Sequence, residues 1–244
     1  MKNLASKAAI AALSSILLLG SSANFAAEAK SYKQAQEEAV KKAAEAAKSV
    51  PAEAKKAIED EENRLKELTK ESNDTYVMYY KYKQLNNGLK TSVYGFRFNY
   101  SSYEDYLKKA STLKSPILQQ PSNLPGGYKF SKAFIESPYQ GKFFDDLIAE
   151  GVKSGKDFYT KKYDWKEPGR VELSYTDGKD ELIINQYTAD EEFAKLKGTE
   201  FSKQPDGRKY FFQYGTGKYY YGISTKSDMS QVKMSEILKA AVKK

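Results

Sequence analysis

Arg208-Lys209-Tyr210-Phe211-Phe212-Gln213-Tyr214, then Gly215-Thr216-Gly217, then Lys218-Tyr219-Tyr220-Tyr221-Gly222-Ile223-Ser224 is the stretch whose reading decides the fold. Two aromatic, β-prone runs flank a short Gly-containing loop, the pattern of a β-hairpin. With a three-residue loop Tyr214 faces Lys218, Phe212 faces Tyr220 and Tyr210 faces Gly222. Side chains alternate along a strand, so Tyr210, Phe212, Tyr214 and Tyr220 share one face. Phe211, Gln213, Tyr219, Tyr221 and Ile223 share the other. A ribbon bulky on both sides does not stand alone in water. It requires further strands beside it and a helix over one face. Ile223 marks its own side as the buried one, which leaves Tyr210, Phe212, Tyr214 and Tyr220 as candidate ligand-binding rings, able to stack on a sugar or peptide with hydroxyls in water. The competing reading makes the same rings cross-strand pairs that only stabilise the sheet. A one-residue slip in the loop would exchange the two faces.

The strands and helices that the ribbon needs lie upstream and downstream. Tyr76 to Lys83 and Thr91 to Tyr100 flank Asn87-Gly88, a type I′ hairpin signal that pairs Val77 with Phe98 and Tyr79 with Phe96. Ser101 with Glu104 forms a capping box for a helix over Tyr103–Ala110. A Pro-punctuated loop, 115–127, leads into a strand over Tyr128–Ile135. Phe143, Phe144, Leu147 and Ile148 have helical spacing up to Gly151. Strands are expected over Phe158–Trp165, Arg170–Thr176 and Asp180–Tyr187, the last two joined by Asp177-Gly178. Thr188 and Glu191 suggest a second capping box and a brief helix up to Gly198, and Met234–Val242 is an amphipathic closing helix. The pattern is α+β: an antiparallel twisted sheet with short helices on one face.

Ahead of residue 74 the character is different. Lys2 and Lys7, the apolar run Ala8–Leu19 and Ala27-Glu28-Ala29 have the form of a signal peptide over residues 1–29, cleaved after Ala29. Residues 30–73 form a helical arm or stalk rich in Ala, Glu and Lys, interrupted at Pro51, with Ser49 placed to cap a second helix. Its large apolar residues are sparse: Val40, Val50, Ile58, Leu65 and Leu68. Two readings stand, a spacer or partner-binding arm and a solvated stalk. Residues 74–244 are then the α+β domain, expected to fold without the arm. The arm has ten basic and ten acidic side chains, whereas residues 74–244 have 28 basic against 21 acidic. A basic exported body is drawn to anionic wall polymers or head groups, although lysines scattered in this way also serve solubility alone.

Composition removes several chemistries. With no Cys and no His, disulfides, thiolate catalysis, His-based triads and the usual zinc sites are excluded. Asp145-Asp146, Asp180-Glu181 and Asp190-Glu191-Glu192 are the carboxylate clusters. A glycosidase needs two carboxyls roughly 5–9.5 Å apart across a sugar, and adjacent residues point apart, so each cluster offers at most one. Ser111-Thr-Leu-Lys114 has the spacing of a Ser-x-x-Lys nucleophile without its companion motifs. Neither Asp177-Gly178 nor Asp206-Gly207 brings the further ligands of a calcium loop. No cofactor or metal is expected, and basic residues among tyrosines suit nucleic acid less well in an exported chain.

Leu124-Pro-Gly-Gly-Tyr128 leading into a strand, followed about eighty residues later by the Tyr-rich hairpin and by Ser235-Glu-Ile-Leu-Lys-Ala-Ala241, resembles the secreted domain-of-unknown-function family 4367 of Gram-positive bacteria. The resemblance covers roughly residues 91–243 and leaves the arm outside. Where many members carry a Trp before the Gly turn, this chain has Phe212 and Tyr214. The family brings no catalytic residues to map; it implies an extracytoplasmic binding or sensing module. The expectation is therefore a secreted, non-enzymatic envelope module, free or wall-associated, with an envelope polymer, a peptide or a regulator protein as its partner. A wall-glycan hydrolase acting through acidic residues, and an interaction protein working through the helical arm, are the alternatives.

Overall fold

The computed structural model of the chain describes residues 45 and 48–242, residue 216 excepted. The signal expected at 1–29 and the first part of the arm lie outside the described residues. In chain order the elements are α1 (Ala52–Glu71), β1 (Tyr76–Tyr80), β2 (Thr91–Tyr94), β3 (Arg97–Tyr100) and α2 (Tyr103–Ala110). Then come β4 (Lys129–Glu136), α3 (Lys142–Ser154), β5 (Phe158–Lys162), β6 (Arg170–Thr176) and β7 (Glu181–Thr188). The chain closes with β8 (Gly198–Lys203), β9 (Lys209–Tyr214), β10 (Tyr219–Thr225) and α4 (Gln231–Ala241). Short 3₁₀ turns lie at Lys83–Asn86 and Phe193–Lys195. The fold is α+β with two antiparallel sheets, of order β2-β1-β5 and β3-β4-β6-β7-β10-β9-β8. No helix among the described residues is long and apolar enough to cross a membrane.

The described chain divides into two compact units that interleave in sequence. The first joins the residues up to Glu71 to Tyr76–Tyr94 and Lys142–Lys162. Here the arm expectation is corrected. Ile58 and Leu65 lie on one stripe of α1 and are buried against Met78 and Tyr80 of β1, so this helix is core of the unit and not a stalk outside the β structure. The contact is also polar: the buried Tyr80 hydroxyl donates to Glu62 Oε1 at 2.9 Å and lies 2.7 Å from the Tyr94 hydroxyl. Burial pushes both phenols well above their ordinary values. The ion pair Lys70–Glu67 near the end of α1 is exposed on both sides and contributes little. Tyr79 points to the opposite face of β1, where α3 meets it at Gly151; a Cβ there would lie 2.3 Å from the Tyr79 ring. Glycine inside a helix normally costs stability, and here its missing side chain makes room for a ring.

Asn87-Gly88 does not close the expected two-residue hairpin. Both residues take positive φ, 53° and 84°, but they end the 3₁₀ turn, with Gly88 N–H donating to Lys83 O at 2.8 Å. Asn86 holds the turn by donating to Leu89 O and Thr91 O. Val77 consequently pairs with Val93 and Tyr79 with Thr91, instead of Phe98 and Phe96. Gly95, at φ 63°, breaks the run Thr91–Tyr100, and its second half pairs with β4 in the other unit.

That second unit, 72–75 with 95–141 and 163–244, holds the seven-stranded sheet. Leu173, Ile184, Ile223 and Phe211 lie side by side across β6, β7, β10 and β9 on its inner face. They join Met234, Ile237, Leu238 and Ala241 of α4 and Tyr106 and Ala110 of α2 in one core. The Pro-punctuated loop is tied to this face, since Tyr106 Oη donates to Leu118 O and Gln119 N–H to Ala241 O, both at 2.8 Å. Helix α2 has the expected bounds, but its cap is Ser102, whose Oγ accepts from Asp105 N–H, one residue beyond the expected Ser101. The second expected box is also displaced. Asp190 Oδ1 accepts from Glu192 N–H and Phe193 N–H, while the Thr188 hydroxyl donates to Pro168 O. Strand β8 was not expected at all; its one large apolar residue, Phe201, is 39% exposed, so an edge strand of this kind has no alternation to read.

Leu65→Ala removes a fully buried side chain between α1 and β1. It is expected to destabilise the chain by about 2–5 kcal/mol in a denaturant melt. A loss below about 1 kcal/mol would mean that α1 contributes no core.

Candidate binding face of the seven-stranded sheet

Every second residue of the seven strands points away from α2 and α4. The pairing places these outward residues in rows across the sheet. One row runs Glu136, Arg170, Tyr187, Tyr220; the next runs Phe134, Glu172, Asn185, Gly222, Phe212, Glu200. A third carries Ser174, Ile183, Ser224, Tyr210 and Ser202.

The hairpin register differs from the sequence expectation, and the faces do not. Phe212 pairs with Gly222 and Tyr210 with Ser224, a shift of two residues from the expected partners Tyr220 and Gly222. The cause lies on the far side of β10. Ala189 N–H donates to Lys218 O at 2.8 Å, and the Lys218 ammonium is bonded to Glu167. Lys218 is therefore held toward β7 and does not face Tyr214. A shift of two preserves the alternation: Phe211, Tyr219, Tyr221 and Ile223 are buried, while Tyr210, Phe212, Tyr214 and Tyr220 are half-buried on the outer face.

The structure brings the four expected rings together but gives them different surroundings. Tyr210 and Phe212 are 6.1 Å apart and within 5° of parallel, and Phe212 and Tyr214 are 6.1 Å apart and within 20°. The Phe212 ring leans over β10, where a Cβ on Gly222 would lie 2.8 Å from it; the glycine is the recess that lets these rings tilt together. The Tyr214 hydroxyl donates to Glu200 Oε2 at 3.1 Å, and burial beside that carboxylate pushes the phenol up to about 12. Tyr220 is enclosed, stacked on Tyr187 at 4.8 Å and on Phe193 at 4.9 Å, both within 14° of parallel. With a neighbour on each ring face, Tyr220 supports the row and presents no free ring face to a ligand.

Sequence reasoning missed the row's continuation. Tyr187 leads to Arg170, whose guanidinium lies 5.2 Å from that ring and 4.9 Å from Phe134. Arg97 covers Phe134 at 4.4 Å. Arg170 donates to Asn185 Oδ1 and, at 2.7 Å, to Glu172 Oε2. Arg97 Nε donates to Glu136 Oε1 at 2.7 Å. Alternation along β7 would have placed Tyr187 on this face. Phe193 sits in a 3₁₀ turn, where no periodic signal exists.

Glu172 is 7% exposed although it is on the outer side of its strand. Burial raises its carboxyl above the ordinary value, against the lowering effect of Arg170 and the Ser174 hydroxyl. The carboxylate clusters noted in the sequence have local roles: Asp146 pairs with Lys142, Glu181 with Lys132, and Asp190 caps a turn. Ser111 Oγ donates to Lys108 O, as a helix-end hydroxyl does. Among the described residues, no group of three or more carboxylates converges as a metal site would. Comparison with protein-family models, curated proteins and solved structures finds no match.

Because the folded-state value of Glu172 is raised, the fold favours its protonated form. That stabilisation is complete below about pH 4 and is lost as pH rises through the raised value. Glu172→Gln keeps one oxygen to accept from Arg170, its amide can donate to the Ser174 hydroxyl, and it should remove this residue's share of any decline in Tm between about pH 4 and pH 7. Parallel Tm profiles for the two proteins would contradict this account of Glu172.

Proposed function

We propose that this chain is an exported, non-catalytic envelope-binding module that holds its ligand on the outer face of the seven-stranded sheet. The observation that carries the proposal is the row Tyr210, Phe212, Tyr214: three rings tilted alike, on strands of a sheet whose two helices pack on the other side. Rings held by strands lose little freedom on binding, which favours affinity. The signal-like N-terminus supports export, and the resemblance to the secreted family 4367 supports the same class of module. The arm-mediated alternative is weakened by α1, whose apolar stripe is occupied by Met78 and Tyr80. The hydrolase alternative has one observation in its favour, the raised carboxyl of Glu172, but Arg170 and Ser174 already engage both its oxygens.

Capture of the full chain on isolated envelopes tests the proposal. Tyr210→Ala, at the open end of the row, should weaken capture at least about tenfold, on the order of 1.4 kcal/mol, with little change in Tm. Tyr220→Ala empties a stack of three rings and should lower Tm. Undiminished capture by Tyr210→Ala, or parallel loss of its stability and binding, would overturn the assignment of this face.

A further inference from the structure

The formal net charge of +8 is compatible with an anionic ligand as well as with a merely solubilising surface. The charges on the candidate face argue against the former. On β7, β10, β9 and β8 the outward positions hold no lysine or arginine. Of the cations on the neighbouring strands, Arg97 is matched with Glu136, Arg170 with Glu172 and Lys132 with Glu181 at 3.5 Å, which leaves Lys129 at the start of β4. Two charges flank the ring row: Glu200, which accepts from the Tyr214 hydroxyl at one end, and Arg208, the position of the same parity just before Tyr210, at the other. An anionic polymer laid along Phe212 and Tyr214 would lose hydration and meet the Glu200 carboxylate, with a single cation, Arg208, at the far end of the row.

From this, and resting on the proposal that the ring row is the binding face, we infer that the ligand is an uncharged glycan. The pyranose C–H face is apolar and flat, and its hydroxyls project around the edge. Tyr210, Phe212 and Tyr214 provide near-parallel rings for the first, and the Tyr210 hydroxyl and Ser202 are the polar groups beside them for the second. A peptide fits less well. Strand addition requires a free sheet edge, whereas β9 and β10 are paired on both sides, so no backbone groups beneath the rings remain to bind an extended chain. A cation would be expected in a cage of rings around it, whereas these rings stand in a row.

The experiment is competition for envelope capture by the full chain. The competitors are neutral chitooligosaccharides and β-glucan oligomers, polyglycerol phosphate, an uncharged peptide and choline. Each is titrated against wild type and Tyr210→Ala at low and high ionic strength. The expected result is competition by a neutral oligosaccharide that changes less than about twofold with salt and is at least about tenfold weaker with Tyr210→Ala. If capture depends on Tyr210 but is displaced by polyglycerol phosphate, the peptide, choline or salt, or by none of the competitors, the ring face stands and the neutral-glycan inference falls. Capture that is indifferent to Tyr210→Ala removes the ring-face proposal itself, and this inference with it.

Discussion

Burial of one side of the β9–β10 ribbon is the constraint on which the second unit depends. Phe211, Tyr221 and Ile223 cannot remain in water together, and α4 covers them with Met234, Ile237 and Leu238. Each such side chain contributes about 1.5–3 kcal/mol when fully buried, so this layer outweighs any surface ion pair on the sheet. Strand alternation then has a necessary consequence. Fixing Phe211 and Tyr221 inside places Tyr210, Phe212 and Tyr220 outside, whatever they do there. The outer rings make the best of that position by packing on one another and, for Phe212, over Gly222. What is left over is a row of partly exposed rings on a rigid support.

The parts of this fold that were readable in the sequence are those fixed by local periodicity. Helix α2 has its expected bounds because Tyr103, Tyr106, Leu107 and Ala110 recur at helical spacing and a serine stands before them. The hairpin faces were readable because alternation determines parity. Its register was not, because the offset depends on Lys218 being held by Ala189 and Glu167, residues far away in sequence. Asn87-Gly88 shows the same limit: positive φ was correctly implied, but a 3₁₀ turn can use it as readily as a hairpin can. The role of α1 was hidden for a different reason. Three large apolar residues in a charged helix, Ile58, Leu65 and Leu68, look insufficient until a partner is known, and the partner includes a tyrosine hydroxyl, Tyr80, bound to Glu62. Of the site, the four rings were identified, but the enclosure of Tyr220 by Tyr187 and Phe193 required the folded chain.

Electrostatics on this face also had to come from the structure. Net charge alone allows two readings, a surface that keeps the chain soluble and an attraction to anionic polymers, and scattered lysines favour the first. In the fold, arginines 97 and 170 are used to clamp Phe134 and to neutralise glutamates, so net charge says little about the surface beside the rings. Glu172 is the extreme case, a buried acid on the solvent side of a strand, held by an arginine in contact with two aromatic rings.

Hydroxyl-radical footprinting of the folded chain tests the sidedness of the ribbon most directly, because adjacent residues report opposite faces. Tyr210 and Phe212 should be oxidised in the native protein, while Phe211 and Tyr221 should stay protected until the chain is unfolded by denaturant. Equal modification of Phe211 and Phe212, or protection of Tyr210 with oxidation of Tyr221, would contradict the assignment of the buried and open faces.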